Sequence, residues 1–260
     1  MYPNPLKQKI QDGKLVLGTA IPTHDIRIAA SLAFDSTADF IWIDQEHSPF
    51  GPRDMEMIPI ILRQQGIAPM VRVPWNDPTH IKKAFDAGAS AVMVPQIGNV
   101  EEAKRAIEYA KYPPLGNRGI SPTWPALAGE DFIEVVNSAN DETVLILQLE
   151  SEEHYNQVDH ILALDGFDVL LVGPMDLSAS LGVMTDMQNP KVQKIMEEMP
   201  KRAEGSGKII GTTLGDPEEI RQKVDWGYKF LNLGSPLGFG ISFINDRFVE
   251  YREQAGNLIA

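Results

Sequence analysis

The side chains of this chain best suited to chemistry are charged groups that follow short apolar runs. Glu150 ends the run 144–150, and Asp176 comes shortly after the run 169–172. A carboxylate in such a place is costly to remove from water unless a cation or hydrogen bonds compensate. Two carboxylates at one opening would suit a hard divalent ion such as Mg or Mn, although each could equally cap a helix or join a salt bridge.

A guanidinium and an imidazole occupy similar positions. Arg72 interrupts the apolar run 68–73, so it needs an anionic partner, either a substrate oxyanion or a neighbouring carboxylate. His47 follows Asp44 and Glu46 at the end of another run, where an imidazole could act as a base if a second group orients it, or could be purely structural. The other four histidines fall in predicted helices or at their entries, where we expect exposure to solvent: His24, His80, His154 and His160.

Asp86 is a candidate partner for His47. It lies near the end of a predicted helix, a position that also fits a surface carboxylate or a helix-end residue. No lysine stands at the carboxyl end of an apolar run, because Lys208 and Lys229 come at the starts of two runs, and this disfavours Schiff-base chemistry. The chain also lacks the serine-hydrolase elbow, the P-loop and the dinucleotide-binding fingerprint.

These side chains need a scaffold that brings the ends of the runs together. Eight short apolar, β-branched runs alternate with amphipathic segments, which is typical of strands buried on both faces and followed by helices. We therefore predict one (β/α)8 barrel domain over residues 1–260, in which the carboxyl ends of the strands share one opening. The predicted strands are 15–21, 39–44, 68–73, 91–95, 144–150, 169–172, 208–214 and 230–234.

Two segments depart from this alternation. Residues 112–129 are rich in proline and glycine and predict a long loop, whose length suggests a function. Residues 241–260 follow a second glycine-rich loop, at Gly234, Gly238 and Gly240, and contain apolar side chains that could pack on their own barrel or on that of a neighbour.

Composition restricts the partners and the chemistry. The 260 residues carry 23 Lys+Arg against 36 Asp+Glu, and the net charge of −13 disfavours nucleic acid and anionic membranes as partners. There is no cysteine, so disulfides and thiol nucleophiles are excluded and any metal must bind through oxygen or nitrogen. We see neither a signal peptide nor a membrane-spanning run and expect a cytoplasmic protein.

Six motifs, in order and in spacing, resemble the HpcH/HpaI family of class II, metal-dependent pyruvate aldolases. The resemblance covers about residues 15–240. Each motif alone is weak evidence, but six in register are specific. They are residues 44–49 (DQEHSP), 71–78 (VRVPWNDP), 85–88 (FDAG) with 94–95 (VP), 112–119 (YPPLGNRG), 148–150 (QLE) and 172–178 (VGPMDLS).

The resemblance implies roles for the residues named above. Glu150 and Asp176 would hold Mg, Mn or Co while pyruvate chelates the ion. His47 would be the base, Asp86 would raise its basicity across a subunit boundary, and Arg72 would stabilise the enolate oxygen. The resemblance also implies a homohexamer built from dimers, in which the final helix is exchanged between subunits.

The same resemblance implies a binding site for the pyruvate portion of the substrate. The donors in its second segment would be the amides of Met175 and Asp176, because Pro174 has no N–H. The site would comprise Gln148 and the segment Gly173, Pro174, Met175 and Asp176.

The implied activity is cleavage of a 4-hydroxy-2-oxo acid, or a sugar-derived 2-keto-3-deoxy acid, to pyruvate and an aldehyde through a pyruvate enolate. Two alternatives stay open: a macrophomate synthase-like decarboxylase acting on oxaloacetate, and a non-catalytic metabolite-binding barrel. Residues 18–21 and Gln45, near the expected opening, differ from what many relatives carry, so the aldehyde is left open.

Overall fold

The computed structural model describes residues 3–49 and 51–259. Eight parallel strands follow one another around a closed barrel, and β8 pairs with β1 to complete it. The predicted (β/α)8 barrel is confirmed, with each strand within two residues of its predicted bounds. The strands are β1 (Val16–Ile21), β2 (Phe40–Asp44), β3 (Ala68–Arg72), β4 (Ala91–Val94), β5 (Val144–Leu149), β6 (Val169–Val172), β7 (Ile209–Thr213) and β8 (Phe230–Asn232).

Helices connect the strands and cover the outside of the barrel. Local sequence sets where many of them begin: for α4, the Asp77 side chain accepts hydrogen bonds from the first turn and Pro78 takes the first helical position. Two 3-10 helices, Pro52–Met55 and Pro217–Glu219, add to the set. The α-helices are α1 (Pro5–Gln11), α2 (Ile26–Asp35), α3 (Ile58–Gln64), α4 (Pro78–Asp86), α5 (Val100–Ala110), α6 (Trp124–Ala128), α7 (Phe132–Glu142), α8 (Glu152–Leu162), α9 (Pro174–Ser180), α10 (Pro190–Arg202), α11 (Ile220–Trp226) and α12 (Pro236–Ile259).

The structure corrects the prediction for the two irregular segments. Residues 112–129 are not a loop throughout, because α6 forms inside them where Trp124 is buried against the Arg63 guanidinium. Gly129 ends that helix in a left-handed conformation. The second glycine-rich segment is also largely helical, since α12 begins at Pro236 and contains Gly238 and Gly240.

Apolar side chains fill the barrel from its amino end. Leu6 and Ile10 of α1 close that end, and the rings of Phe40 and Phe230 stack above them with centroids 4.5 Å apart. Gly18 makes this layer possible, because a Cβ there would lie 2.4 Å from the Phe40 ring. A second apolar layer lies between the strands and the surrounding helices. The apolar filling leaves the carboxyl ends of the strands as the place where polar side chains can converge on one opening.

The last helix, α12, leaves most of its apolar side chains uncovered by the described part of its own chain. Its start contacts β1, beside a cavity of about 420 Å³ lined by Leu17, Ala38, Leu233 and Phe239. None of the described helices is long and apolar enough to cross a membrane. The apolar residues of α12 beyond Ile241, with exposures of 48% to 61%, are Phe243, Ile244, Phe248, Val249 and Tyr251.

Candidate active site

Arg72 lies at the carboxyl end of β3 and is held by two carboxylates. Its Nε and Nη2 donate to Asp44 Oδ1 and Oδ2 at 2.9 and 2.5 Å, and Nη1 lies 2.9 Å from Glu46 Oε2. The β2–β3 register pairs Asp44 directly with Arg72, and the guanidinium also stacks on the Trp42 ring at 4.7 Å. Arg72 is therefore a buried cation held in a fixed orientation at the opening of the barrel.

The ion pair does not use up the donors of Arg72. Nη1 and Nη2 each carry two hydrogens; Asp44 accepts one from Nη2, and Glu46 Oε2 pairs with Nη1 without accepting a hydrogen bond, so N–H groups remain for another acceptor. Burial raises the pKa of Asp44, but the hydrogen bonds and charge of Arg72 outweigh it and the pKa is lowered overall. The two roles considered for Arg72, structural ion pair and oxyanion contact, are thus compatible in one geometry.

Glu150 is a buried carboxylate with too little positive charge around it. Its side chain is 6% exposed, and its Oε2 accepts a hydrogen bond from the Gln96 N–H at 2.8 Å. Burial raises the pKa of Glu150 to about 7; the Gln96 N–H and Arg72 oppose this rise, while the nearby charges of Glu46 and Asp176 add to it. This end of the barrel thus carries four carboxylates, Asp44, Glu46, Glu150 and Asp176, of which the first two pair with Arg72.

Gly173 lets the neighbouring side chains approach the backbone at the end of β6. A Cβ at Gly173 would lie 2.9 Å from Glu150 Cγ and 3.1 Å from Gln148 Nε2, so a larger residue would displace both. Gln148 is buried, and its Oε1 has no hydrogen-bond partner among the described residues. An unpaired acceptor beside a carboxylate calls for a donor or a cation.

These residues fit a hard divalent cation whose remaining ligands are substrate oxygens and water. Residues 3–49 and 51–259 contain no cluster of three or more His, Cys, Asp or Glu side chains placed to hold a metal. Ions such as Mg²⁺ are, however, commonly bound by one or two carboxylates together with substrate oxygens and water. Glu150, Asp176 and the unpaired Gln148 oxygen supply oxygen ligands of that kind.

His47 lies in the bend that follows β2, with its side chain 59% exposed. Its Nε2 is 3.7 Å from Glu46 Oε2, and its backbone N–H lies 3.4 Å from Asp44 Oδ1. The carboxylate that the chain places beside this imidazole is therefore Glu46, which sequence reasoning had not assigned to the site.

Asp86 lies elsewhere, at the end of α4 on an outer cavity of about 500 Å³ that Gln45 also lines. Burial raises the pKa of Asp86 to about 6, with Arg118 and Lys82 opposing the rise. Its Oδ1 has no hydrogen-bond partner within the described ranges. A single chain thus brings together the other predicted site residues but does not bring Asp86 to His47.

The predicted pyruvate segment forms the start of α9. Gly173 precedes the helix, Pro174 is its first residue, and Met175 and Asp176 are exposed in its first turn. The N–H groups of a first helical turn have no carbonyl acceptor within the helix. The amides of Met175 and Asp176 are therefore oriented for an external acceptor.

Besides Glu46, sequence reasoning missed two residues next to the site. Gln96 follows the end of β4, a position that could have indicated it, but the left-handed conformation of its backbone (φ 54°) has no sequence signal. The expectation that His154 is exposed is wrong: it is 0% exposed on α8. The spacing of His154 with the buried Val158 and Ile161 on one helical face was the available signal.

The family model for HpcH/HpaI aldolase/citrate lyase matches residues 24–242. A hydroxypyruvate/pyruvate aldolase of Roseovarius nubinhibens is 34% identical over 237 residues, covering 89% of this chain and 90% of that protein. A 2-dehydro-3,6-dideoxy-6-sulfogluconate aldolase of Pseudomonas putida is 32% identical over 94% of this chain and 96% of its own length. A crystal structure of an HpcH/HpaI aldolase/citrate lyase family protein from Burkholderia cenocepacia J2315 superposes with a TM-score of 0.89, at 30% identity, over 96% of this chain and 99% of that one.

Proposed function

The chain belongs to the HpcH/HpaI aldolase/citrate lyase family and is a carbon–carbon lyase, and we propose that it cleaves a 4-hydroxy-2-oxo acid to pyruvate and an aldehyde. We propose Mg, Mn or Co as its cofactor. The two similar aldolases are named for hydroxypyruvate and pyruvate and for a deoxy sugar acid, which supports a small hydroxylated 2-oxo acid as substrate. Cytoplasmic location stays a prediction from composition.

The observation that carries this proposal is the uncompensated negative charge around Glu150. A buried carboxylate next to Glu46 and Asp176 is unfavourable unless a cation joins it, and Arg72 is already shared by Asp44 and Glu46. A divalent ion held by Glu150 and Asp176 would draw charge from the keto oxygen of a 2-oxo acid as the enolate forms.

The chain's own donors suit the rest of the pyruvate unit. The remaining N–H groups of Arg72 can donate to the enolate oxygen, where negative charge develops. The amides of Met175 and Asp176 can bind the carboxylate of the acid, and Gln148 lies buried next to Glu150. Because these groups are held in place before the substrate arrives, they stabilise the developing charge without reorganising.

We assign the proton transfer to His47. It would accept the proton of the 4-hydroxyl group, directly or through a water, as the carbon–carbon bond breaks, and Glu46, 3.7 Å from its Nε2, is placed to orient the ring. Asp86 would assist from a second subunit. Gln45, two residues before His47, lines the same outer cavity as Asp86. If two subunits met across this surface with two-fold symmetry, each Asp86 would approach the end of β2 in the other subunit.

The exposed apolar face of α12 supports the exchange of the last helix between subunits. A 24-residue helix with exposed Phe243, Ile244 and Phe248 needs another surface, and the cavity next to β1 lies open beside its start. We propose a homo-oligomer built from such pairs, with a hexamer as its expected size. Sedimentation or light scattering would measure that size.

Chelator-treated protein tests the proposed activity. Pyruvate release from 4-hydroxy-2-oxo acids is expected to stop after chelation and to return with Mg²⁺, Mn²⁺ or Co²⁺. Oxaloacetate is assayed in parallel, because a decarboxylase would use the same enolate stabilisation. Undiminished cleavage by metal-free protein would contradict the proposal, and saturable pyruvate binding without any turnover would favour a binding protein.

Replacement of the base gives a second test. His47→Ala is expected to retain Mn²⁺ binding and lose turnover, whereas His160→Ala, an exposed histidine on α8, is the matched control. Normal turnover in the His47 variant would remove this residue from the mechanism.

A further inference from the structure

The backbone of the loop between β4 and α5, residues 95–99, is hydrogen-bonded by side chains that have no role in the proposed chemistry. His154 Nδ1 donates to the Ile97 carbonyl oxygen at 2.6 Å, and Glu102 Oε2 accepts the Gly98 N–H at 2.7 Å. At the start of α5, Gln157 Oε1 accepts the Val100 N–H at 3.3 Å. With the Ile97 side chain also buried, the loop is held from both α5 and α8.

His154 is a neutral donor in this arrangement. Burial lowers the pKa of His154 to about 4, although interactions with the backbones of Ile97 and Gln148 oppose that shift. A carbonyl oxygen can only accept, so the proton of the neutral ring is on Nδ1. A fully buried imidazole whose Nδ1 fixes a loop carbonyl has a defined structural task.

That loop presents Gln96 to the site in an unfavourable backbone conformation. Gln96 has φ 54°, a left-handed value that costs a non-glycine residue free energy and persists only where the surroundings impose it. In this conformation its N–H donates to Glu150 Oε2 at 2.8 Å, and its side-chain Nε2 donates to Glu46 Oε1 at 3.2 Å. One residue thus contacts two of the four carboxylates at the opening.

The contact with Gln96 also decides which way Glu150 faces. With Oε2 bound to the loop, Oε1 lies on the side of Gly173, 3.1 Å from where a Cβ would be. Asp176 stands in the first turn of the helix that follows Gly173. Oε1 is therefore the oxygen that lies beside Gly173, at the start of the helix that carries Asp176.

We propose that His154 and Gln96 are positioning residues: His154 holds the Ile97 carbonyl and thereby the left-handed turn at Gln96, which orients Glu150 for a divalent ion. This inference rests on the proposed function, since the ion is part of it. Groups that orient metal ligands from behind typically change metal affinity about 10- to 100-fold when they are removed.

The decisive comparison uses two substitutions of His154. His154→Leu removes the donor, whereas His154→Asn keeps a donor nitrogen bonded to Cγ, as in the imidazole. We expect His154→Leu to weaken Mn²⁺ binding about tenfold by calorimetry and to speed hydrogen exchange in residues 96–98. His154→Asn is expected to recover most of both effects, and His160→Leu, an exposed position on the same helix, is the matched control.

Gln96→Ala provides a variant that does not disturb the core. The side chain is exposed, so the fold is expected to persist, and the substitution removes the contact with Glu46 while the backbone N–H remains. We expect Mn²⁺ binding to weaken by about threefold, less than in His154→Leu, because the bond to Glu150 survives. This variant decides the question if His154→Leu does not fold.

Unchanged Mn²⁺ affinity in Gln96→Ala and in folded His154→Leu would overturn the inference. Equal losses in the Leu and Asn variants of His154 would also overturn it, because packing alone would then explain the effect. If the wild-type protein binds no Mn²⁺, the proposed function fails instead. Hydrogen exchange then decides alone, and unaltered exchange at residues 96–98 in His154→Leu overturns the inference as well.

Discussion

The two ends of the barrel differ in whether their carboxylates are paired with cations of the same chain. At the amino end, Lys7 lies 2.5 Å from Asp168 and Lys9 lies 2.5 Å from Asp39. The second oxygen of each aspartate accepts a backbone N–H, from Leu145 for Asp168 and from Leu17 for Asp39. Every one of these carboxylates has its cation and its hydrogen bonds within the chain.

At the carboxyl end the charges do not balance. Arg72 pairs with Asp44 and Glu46, whereas Glu150 and Asp176 form no ion pair within residues 3–49 and 51–259, and burial raises the pKa of both Glu46 and Glu150. The first arrangement is complete without a ligand and serves stability, whereas the second becomes favourable when a cation binds. The difference indicates where the chain gives up stability for function, at the end where barrels of this kind carry their active sites.

The largest effect expected is on activity, from Glu150→Gln. The amide can still accept the Gln96 N–H but cannot hold the ion, so the rate is expected to fall about 10³-fold, equivalent to about 4 kcal/mol of lost charge stabilisation. Steady-state pyruvate release measures it. The matched control is Glu152→Gln, an exposed residue at the start of α8.

The same substitution separates the two ends of the barrel. Because the pKa of Glu150 is raised in the fold, its charge opposes folding as the pH rises through about 7 in metal-free protein. Glu150→Gln is therefore expected to be at least as stable as the wild type at pH 8, by urea unfolding. A marked loss of stability would show that Glu150 is a structural group like those at the amino end.

The next largest effect concerns how the free energy of unfolding depends on pH, because His154 is buried in its neutral form. The pKa of His154 is about 4 in the fold against 6.5 for the free side chain, so between these values only the unfolded state takes up the proton. The free energy of unfolding is expected to fall with decreasing pH across that window, by up to about 3 kcal/mol. Subtracting the pH profile of His154→Asn isolates this term, and parallel profiles would contradict it.

A smaller loss of stability is expected at the amino end from Asp168→Asn. The Lys7 side chain is 12% exposed there, so removing its counter-charge is expected to cost about 2 kcal/mol of unfolding free energy while kcat stays unchanged. A double-mutant cycle with Lys7→Met measures the pair directly. A large drop in kcat with an unchanged unfolding free energy would break the distinction between the two ends.

The smallest effect is expected for the second pair, Lys9 with Asp39. The Lys9 side chain is 40% exposed, so solvent screens the interaction, and Lys9→Met is expected to cost less than about 1 kcal/mol. Thermal unfolding of this variant and of Lys7→Met side by side tests whether burial sets the strength of these pairs. A larger cost for Lys9→Met would contradict that explanation.

Local patterns accounted for the barrel and for where most of the candidate site residues lie in it. Apolar, β-branched runs at regular intervals predict buried strands, and the end of a strand predicts the position of Arg72, Gln148 and Glu150 because all strands point one way. The resemblance to the HpcH/HpaI family, carried by short motifs, is confirmed by the family match. The roles assigned to His47, Asp86 and the metal-binding acids stay predictions until they are measured.

What the residue order could not reveal depends on contacts between distant parts of the chain. Periodicity and strand ends are properties of neighbouring residues, so the order alone predicts which side chains reach the opening. The Arg72 pairing with Asp44, the buried state of His154 and the left-handed turn at Gln96 arise only when separate βα units are packed together. Tertiary packing sets how deeply each side chain is buried and which groups surround it. Burial and neighbouring groups in turn determine whether a carboxylate or an imidazole is charged, and whether it is paired within the chain or free to bind a ligand.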